Sequence, residues 1–516
     1  MYFLKMHQTT RMKLKEAWRK RTEWNKDYVI PSYNREEIKA NTKKFPIWLH
    51  FGAGNIFRAL IAAAMDQLLE QELSEQGIIV CEDFDKELIE RVYEPYDSLS
   101  LLVTLKANGK IEKRVIGSVV QAVTETDKFK ELFRMPSVQI VSFTITEKGY
   151  SGSLMRKIAE LCLERYQSGA YPVALVSMDN CARNGELLSM EVLKHAKALV
   201  AEGRTDQGFL DYLNDEAKIT FPWSMIDKIT PRPDEAVKRM LERDGFEDIQ
   251  QIVTERNTYT APYVNAEETE YLVIEDKFPN GRPRLEAAGI LFADRETVDK
   301  TEKMKVGTCL NPLHTALAIF GCLLGYKTIH EEIEDEQLHR LVWELGYKEG
   351  LPVVADPGII KPEQFLEDVL KKRLPNPFMP DSPQRIATDT SQKLPIRFGH
   401  TLMAYTLRSE LKISNLTMIP LVYAGWLRYL LGVDDKGDEF TRSDDPRLKE
   451  LSECLKGIGL GKELKNDAGL RQILMDSSLF GIDLNQYGLA DKVIGMFQEM
   501  LAEKGAVRKT LQKYCV

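Results

Sequence analysis

Metal-ligand spacing is the first thing missing from this 516-residue sequence. Its seven cysteines (81, 162, 181, 309, 322, 454 and 515) are scattered, odd in number and never form CxxC. Its seven histidines form no HExxH and no close pair. Disulfide frameworks and structural zinc are thereby excluded, no metal is expected, and a reducing, cytoplasmic setting is. Long apolar runs are missing too: the longest, ending at Tyr326, covers about 12 residues, short of the ~20 that cross a bilayer, so no membrane partner is expected. The basic stretch "MKLKEAWRKRTEW" has neither the apolar core nor the small-residue cleavage site of a secretory signal. Glu16, Glu23 and the scarcity of serine weigh against a mitochondrial address, and a surface helix or arm is expected. Net charge is −8 and the pI about 5.7, without the basic face that phosphate backbones require, so nucleic acid is not an expected partner. There is no internal repeat and no low-complexity segment.

What is present is alternation. "IWLHFG" reads as a strand closing on glycine, followed by "NIFRALIAAAMDQLLEQEL", apolar at three-four spacing and so helical. "GIIVCEDFD", "SLLVTL", "VIGSVVQAV", "VQIVSFTIT" and "VALVSM" are further strand candidates, with the helix "SLMRKIAELCLERYQSG" before the last. Strands separated by helices of this length imply crossovers and a mostly parallel sheet. Past about residue 297 the candidates are almost all helical. The length calls for at least two domains. The fold class is therefore α/β: an N-terminal arm (1–45), a Rossmann-type parallel-sheet domain (46–296) and a mainly α-helical C-terminal domain (297–516).

"LHFGAGNIFRA" places Gly52 and Gly54 between a strand and a helix. Glycines there allow a tight turn and let backbone N–H groups approach a pyrophosphate at a helix N-terminus. The usual third glycine is absent, Phe57 standing in its place, and a bland strand-to-helix turn has the same letters. The next strand ends in Glu82-Asp83, 28 residues after Gly54, where an acid accepts from ribose hydroxyls and repels a 2′-phosphate. This favours NAD over NADP. Three further loops fall at strand ends: "TITEKGY" (144–150), "SMDNCARNGELL" (177–188) and "MIDKITPRPDE" (225–235). Ligands collect there in open α/β sheets, although Asp179, Asn180 and Asn184 also suit Asx turns and a helix cap.

The segment "KVGTCLNPLHTALAIFG" sets Lys305, Asn311 and His314 before an apolar helix. Hydride transfer to a ketone leaves an alkoxide that takes a proton from a zinc-bound oxygen, a tyrosine beside a lysine, a histidine or a lysine. With no zinc spacing and no YxxxK in the sequence, Lys305 or His314 remains. Asn311 offers an amide N–H to the developing oxyanion. A purely structural reading is equally open: Lys303 and Lys305 as surface charges, Asn311 and Pro312 as a helix start, His314 as a packed core residue. "RLPNPFMPDSPQRIATDTSQKLPIRFGH" (373–400) reads as a proline-broken loop carrying Arg373, Arg385, Lys393, Arg397 and His400. So many cations suit an anionic ligand, or a solvated basic loop.

Taken in order, "GAGNIFRA", "TEKGY", "SMDNCARNG", "MIDKITP", the 305–314 segment and "RLPNP…DTSQK" resemble the polyol-specific long-chain dehydrogenase/reductase (mannitol dehydrogenase) family from about Pro46 to the C-terminus. The resemblance implies metal-independent NAD chemistry in a cleft between a Rossmann-type and a helical domain. Its K-x4-N-x2-H signature implies Lys305 as general acid/base, Asn311 at the oxyanion and His314 as substrate-positioning residue. It also implies Asn184 as second oxyanion donor, with Asp227, Arg373, Lys393 and Arg397 on the substrate. Gly52, Gly54, Asn55, Phe57, Arg58, Glu82, Asp83, Thr146, Asp179 and Asn180 are the implied cofactor contacts. One departure stands out: five residues, not four, separate Lys305 from Asn311, leaving Val306 at the signature position. A bulge at Gly307 in the loop "VGTCL" would restore the geometry; Lys303 is the alternative. The cation-rich segment looks more like the hexuronate reductases of the family, implying reduction of D-fructuronate to D-mannonate by NADH. A sugar-acid substrate and a monomer or homodimer are expected. Tagaturonate reduction, mannitol 2-dehydrogenase or mannitol-1-phosphate dehydrogenase activity, and a non-catalytic NAD-binding protein stay open.

Overall fold

The computed structural model describes residues 11–516 and divides the chain into two compact units, Met1–Asp299 and Lys300–Val516. The first ten residues of the expected arm lie outside the described residues. The rest of it is less an arm than a strap on the N-terminal unit. Met12 bridges to Phe246, the Leu14 N–H donates to Asp248, and Tyr28–Val29 pairs as a strand with Ile111–Ile116. Only two single 3-10 turns, Leu14–Glu16 and Arg21–Glu23, stand where a surface helix was expected, and Met12, Leu14 and Ala17 are buried.

Six strands form the main sheet: β1 (Trp48–Phe51), β2 (Ile78–Cys81), β3 (Val119–Val123), β4 (Ile140–Phe143), β5 (Val173–Ser177) and β6 (Ile219–Thr220). All neighbours are parallel and their order is β3-β2-β1-β4-β5-β6. This is the doubly wound dinucleotide order, whose switch point lies between the carboxyl ends of β1 and β4. Val, Ile and Leu dominate β2, β4 and β5, as fits strands covered on both faces, and these three and β1 (Trp-Leu-His-Phe) are buried throughout. "SLLVTL" does not join this sheet. As Ser100–Leu105 it pairs antiparallel with Ile111–Ile116, in a second, four-stranded sheet completed by Tyr28–Val29 and Tyr263–Glu267 at its edges.

The C-terminal unit is helical. Its spine is Asn311–Leu324, buried from Pro312 through Leu323 except for His314, and ended by Gly325 in the left-handed region (φ 83°). It packs on Met418–Tyr429, all twelve residues of which are buried. Their close approach requires Gly425, where an added Cβ would lie 2.6 Å from the Phe320 ring. The N-terminus of that second helix is satisfied from a distance: the buried Glu349 carboxylate accepts the N–H groups of Thr417 (2.6 Å), Met418 (2.8 Å) and Ile419 (2.9 Å). The helical run Arg295–Leu324 is long and apolar enough to cross a membrane, yet 83% of its apolar window is buried within the protein.

Candidate active site

In the N-terminal unit the turn after β1 is held from three sides. Gly52 has φ +110°, and a Cβ there would meet the Thr144 carbonyl oxygen at 2.5 Å, so only glycine fits. The Gly52 carbonyl accepts from Thr144 Oγ1 (3.2 Å), while the N–H of the same peptide, on Ala53, donates to Glu82 Oε2 (2.9 Å). The next carbonyl, on Ala53, accepts from Tyr93 Oη (2.8 Å). In a trans peptide N–H and C=O point opposite ways. The Gly54 N–H is thereby aimed away from Tyr93, and a Cβ on Gly54 would meet nothing within 4 Å. A helical run begins at Asn55. Open space, an outward N–H and a helix start are what a pyrophosphate cradle requires, so the turn fits a dinucleotide.

Two expected cofactor contacts are corrected here. Phe57 is fully buried, its ring stacked 4.1 Å from the His50 imidazole. Arg58 is 1% exposed and donates to Ala261 O (2.8 Å), Asn55 Oδ1 (2.8 Å) and Thr260 Oγ1 (2.7 Å). Neither side chain reaches a ligand; both brace the turn from behind. Asn55 is half-buried and bound to the Tyr259 carbonyl (3.1 Å) as well as to Arg58. Glu82 accepts three N–H groups, from Ala53, Phe84 (2.9 Å) and Asp85 (3.0 Å). Burial nevertheless raises its carboxyl above the usual range, outweighing those donors, with Asp85 adding to the rise. Asp83 pairs with Lys157 at 2.5 Å.

At the ends of β4 and β5, Thr146 is exposed at the start of a short helix, Glu147–Tyr150. Asp179 accepts from Tyr150 Oη (2.6 Å), Ser177 Oγ (3.0 Å) and the Cys181 N–H (2.9 Å). Asn180 is exposed. Asn184 is fully buried: its amide nitrogen donates to Asp179 O (3.1 Å) and Ser224 Oγ (3.0 Å), and its oxygen accepts the Ser224 N–H (3.0 Å). Both amide hydrogens are engaged, so as an oxyanion donor Asn184 is corrected to a hub that fixes the strand ends. Asp227 lies not in the loop but at the end of the strand Ser224–Asp227, opposite Tyr271.

In the C-terminal unit the loop expected at "VGTCL" is a helical turn. Lys305–Cys309 forms a π turn closed by the Leu310 N–H on the Lys305 carbonyl (3.1 Å), an i to i+5 bond. Such a turn holds one residue more than an α turn. It therefore accommodates the extra residue without a left-handed Gly307, and Leu310 separates it from the next helix. Lys305 is 8% exposed. Asn311 opens the following helix with Pro312 in its first turn, and His314 lies three residues on, on the same face. Lys303 sits just upstream, close enough to His400 that its charge adds to the burial lowering that imidazole's pKa.

The 373–400 segment is mostly short helices rather than open loop: Val369–Arg373, Pro383–Ile386, Thr390–Leu394 and Pro395–Gly399, with prolines at the starts of the second and fourth. The charges of three of its cations reach one residue. Burial, then the charges of Arg373, Arg397 and Arg385, push the His314 pKa down to about 3. Arg397 donates to Thr315 Oγ1 and is itself lowered by burial to about 10. Lys393 donates to the carbonyls of Thr388 and Ile386, and burial followed by Arg397 lowers it. Arg385 pairs with Asp381. Sequence reasoning misses the braces His50, Tyr93, Thr144, Tyr150 and Ser224. A histidine inside the apolar strand "IWLHFG" is the one visible signal for them.

Residues 46–287 match the family described as the mannitol dehydrogenase Rossmann domain, and residues 297–501 the mannitol dehydrogenase C-terminal domain. D-mannonate oxidoreductase of Thermotoga maritima is 48% identical, over 97% of this chain and 98% of its own. Mannitol 2-dehydrogenase of Pyricularia oryzae is 26% identical over 95% and 96%. Among solved structures, substrate-free D-sorbitol dehydrogenase superposes with a TM-score of 0.77 at 25% identity, over 96% of this chain and 99% of that one. The ternary complex of Pseudomonas fluorescens mannitol 2-dehydrogenase with NAD and D-mannitol shares the fold, with a TM-score of 0.70 at 24% identity over 97% and 99%.

Proposed function

The chain belongs to the mannitol dehydrogenase family of oxidoreductases acting on CH–OH groups, and on that premise we propose that it is an NAD-dependent hexuronate oxidoreductase reducing D-fructuronate to D-mannonate. Support for the sugar acid comes from the 48% identical D-mannonate oxidoreductase. NAD is favoured by the Gly52–Gly54 turn and the cofactor named for the mannitol 2-dehydrogenase complex. The single observation that carries an acid over a neutral polyol is that the charges of Arg373, Arg397 and Arg385 all reach His314 and, after burial, lower its imidazole. Three guanidinium charges bearing on one imidazole favour an anion, and their planar forks match a carboxylate.

When bound, NADH supplies the hydride that converts the ketone to an alcohol. Protonated Lys305 gives its proton to the ketone oxygen and is reprotonated from solvent, which balances the step. Asn311 donates an amide N–H to the same oxygen as negative charge develops there. His314 is neutral at working pH, so it offers one N–H and one lone pair to a substrate hydroxyl rather than a further charge. One of Arg373, Lys393 and Arg397 holds the carboxylate.

A substrate panel followed by NADH absorbance tests this reading. Fructuronate should give a kcat/KM at least tenfold above tagaturonate, fructose and fructose 6-phosphate. Preference for uncharged fructose would reject the sugar-acid assignment. Preference for the phosphate would give the arginines a different anion, since guanidinium also fits phosphate.

A further inference from the structure

We propose that His50 is a positioning residue for the dinucleotide: a neutral imidazole in a directed hydrogen-bond chain that begins at Trp48 and ends on the Gly52 carbonyl. This rests on the turn being the cofactor site, as proposed above, and adds what sets its geometry.

The direction follows from counting hydrogens. Trp48 Nε1 carries a hydrogen and no lone pair, so it donates to Ser142 Oγ (2.7 Å). The Ser142 hydroxyl then has its own hydrogen to place, and His50 Nδ1 lies 2.6 Å away as acceptor. With Nδ1 accepting, a neutral ring carries its hydrogen on Nε2, which faces Thr144 Oγ1 at 2.9 Å. The Gly52 backbone also favours a hydrogen on the ring. Thr144 passes its own hydrogen to the Gly52 carbonyl at 3.2 Å. Every donor has an acceptor in this one arrangement. A fully buried histidine between two hydroxyls, stacked on Phe57, has no exit for a second proton.

Placement gives the chain its consequence. Ser142 lies on β4 and Thr144 just past its end, Trp48 and His50 on β1, and Gly52 just past its end. The chain therefore spans the switch point and stops at the first peptide of the turn. Glu82 holds the N–H of that peptide from β2. With its carbonyl fixed by Thr144 and its N–H by Glu82, the peptide cannot rotate, and the Gly54 N–H inherits its aim. Loosening the chain should weaken cofactor binding without touching the groups that handle the substrate.

The test is a three-variant series on the full-length protein, with NADH dissociation constants from fluorescence, kcat at saturating NADH and thermal midpoints. Thr144→Val keeps the shape but removes the hydroxyl, and should raise the NADH dissociation constant roughly fivefold to tenfold, the worth of one neutral hydrogen bond, with kcat within twofold. Thr144→Ser keeps the hydroxyl and should restore binding to within about twofold of the parent, as expected if the bond rather than the methyl matters. Ser142→Ala breaks the far end and should move binding in the same direction by a smaller factor; it also decides the matter if Thr144→Val does not fold. Unchanged NADH binding in folded Thr144→Val or Ser142→Ala overturns the proposal. So does equal weakening by Thr144→Val and Thr144→Ser, or a kcat loss matching the binding loss, which would mean general disruption. An unmodified protein that binds no NADH would instead reject the cofactor reading itself.

Discussion

Acidification should loosen the N-terminal unit through His50 by an amount the structure sets. The imidazole is fully buried, and burial pushes its pKa from the ordinary 6.5 down to about 3, the Gly52 carbonyl opposing only in part. A depressed pKa means that between pH 6.5 and 3 the unfolded chain carries a proton on this residue that the folded chain does not. Stability therefore rises with pH across that window, is complete above 6.5, and is lost as pH falls. Each pH unit is worth about 1.4 kcal/mol, so lowering the pH from 6.5 to 5 should remove about 2 kcal/mol from the unit that holds β1. Hydrogen exchange across Trp48–Phe51 reads this locally, which suits a chain of two units that need not unfold together. After correction for intrinsic exchange, the parent should lose protection from pH 6.5 to 5, while His50→Gln, which cannot titrate, should lose about 2 kcal/mol less. Parallel profiles for the two proteins would refute the reasoning, because they would mean that the imidazole is already protonated in the folded chain or has the same affinity for protons in both states.

Three other outcomes follow from the C-terminal unit. Lys305→Ala should lower kcat at least ~100-fold, as loss of a general acid does, while Lys303→Ala stays within a few-fold; the reverse pattern in steady-state assays would move the acid to Lys303. Arg397→Met should cut kcat/KM for the sugar acid roughly tenfold to 100-fold, the worth of a charge-assisted bond, and leave any turnover of fructose nearly unchanged. An equal loss on both substrates would place Arg397 in folding rather than in recognition. Glu349→Ala leaves the N–H groups of Thr417, half-buried, and of Met418 and Ile419, buried, without their acceptor, and urea unfolding should register a loss of about 3 kcal/mol.

Legibility in the sequence varied with what each residue's surroundings demand. The β1 turn was readable because Gly52 is a letter the backbone requires, at φ +110° and hard against the Thr144 carbonyl, with Gly54 leaving open space beside it. The same turn misled at Phe57 and Arg58, since an aromatic and a cation beside a glycine pair look like ligand contacts. Only the helix phase, set by packing on His50 and Thr260, turns both inward. Asn184 failed for a related reason: its type suits an oxyanion, but Ser224 and the Asp179 carbonyl, distant in sequence or hidden in backbone, take its hydrogens. The cations of 373–400 were visible as a cluster in sequence. Their convergence on His314 depended on short helices that the prolines start as well as interrupt. "SLLVTL" has the composition of a main-sheet strand, and nothing local distinguishes it from one; its pairing with Ile111–Ile116 and with Tyr263–Glu267 is decided by the rest of the fold.

The π turn at Lys305–Cys309 bears on how such a sequence can change over time. One residue added to an α-helix rotates everything beyond it by about 100°, which here would swing Ala316, Ile319 and Phe320 out of the core. Because the surplus is confined to a single widened turn, the helix downstream keeps its phase and the insertion is nearly silent. The interval between Lys305 and Asn311 is thus free to drift by one residue, and a lineage could gain or shed Val306 without passing through an unfolded ancestor.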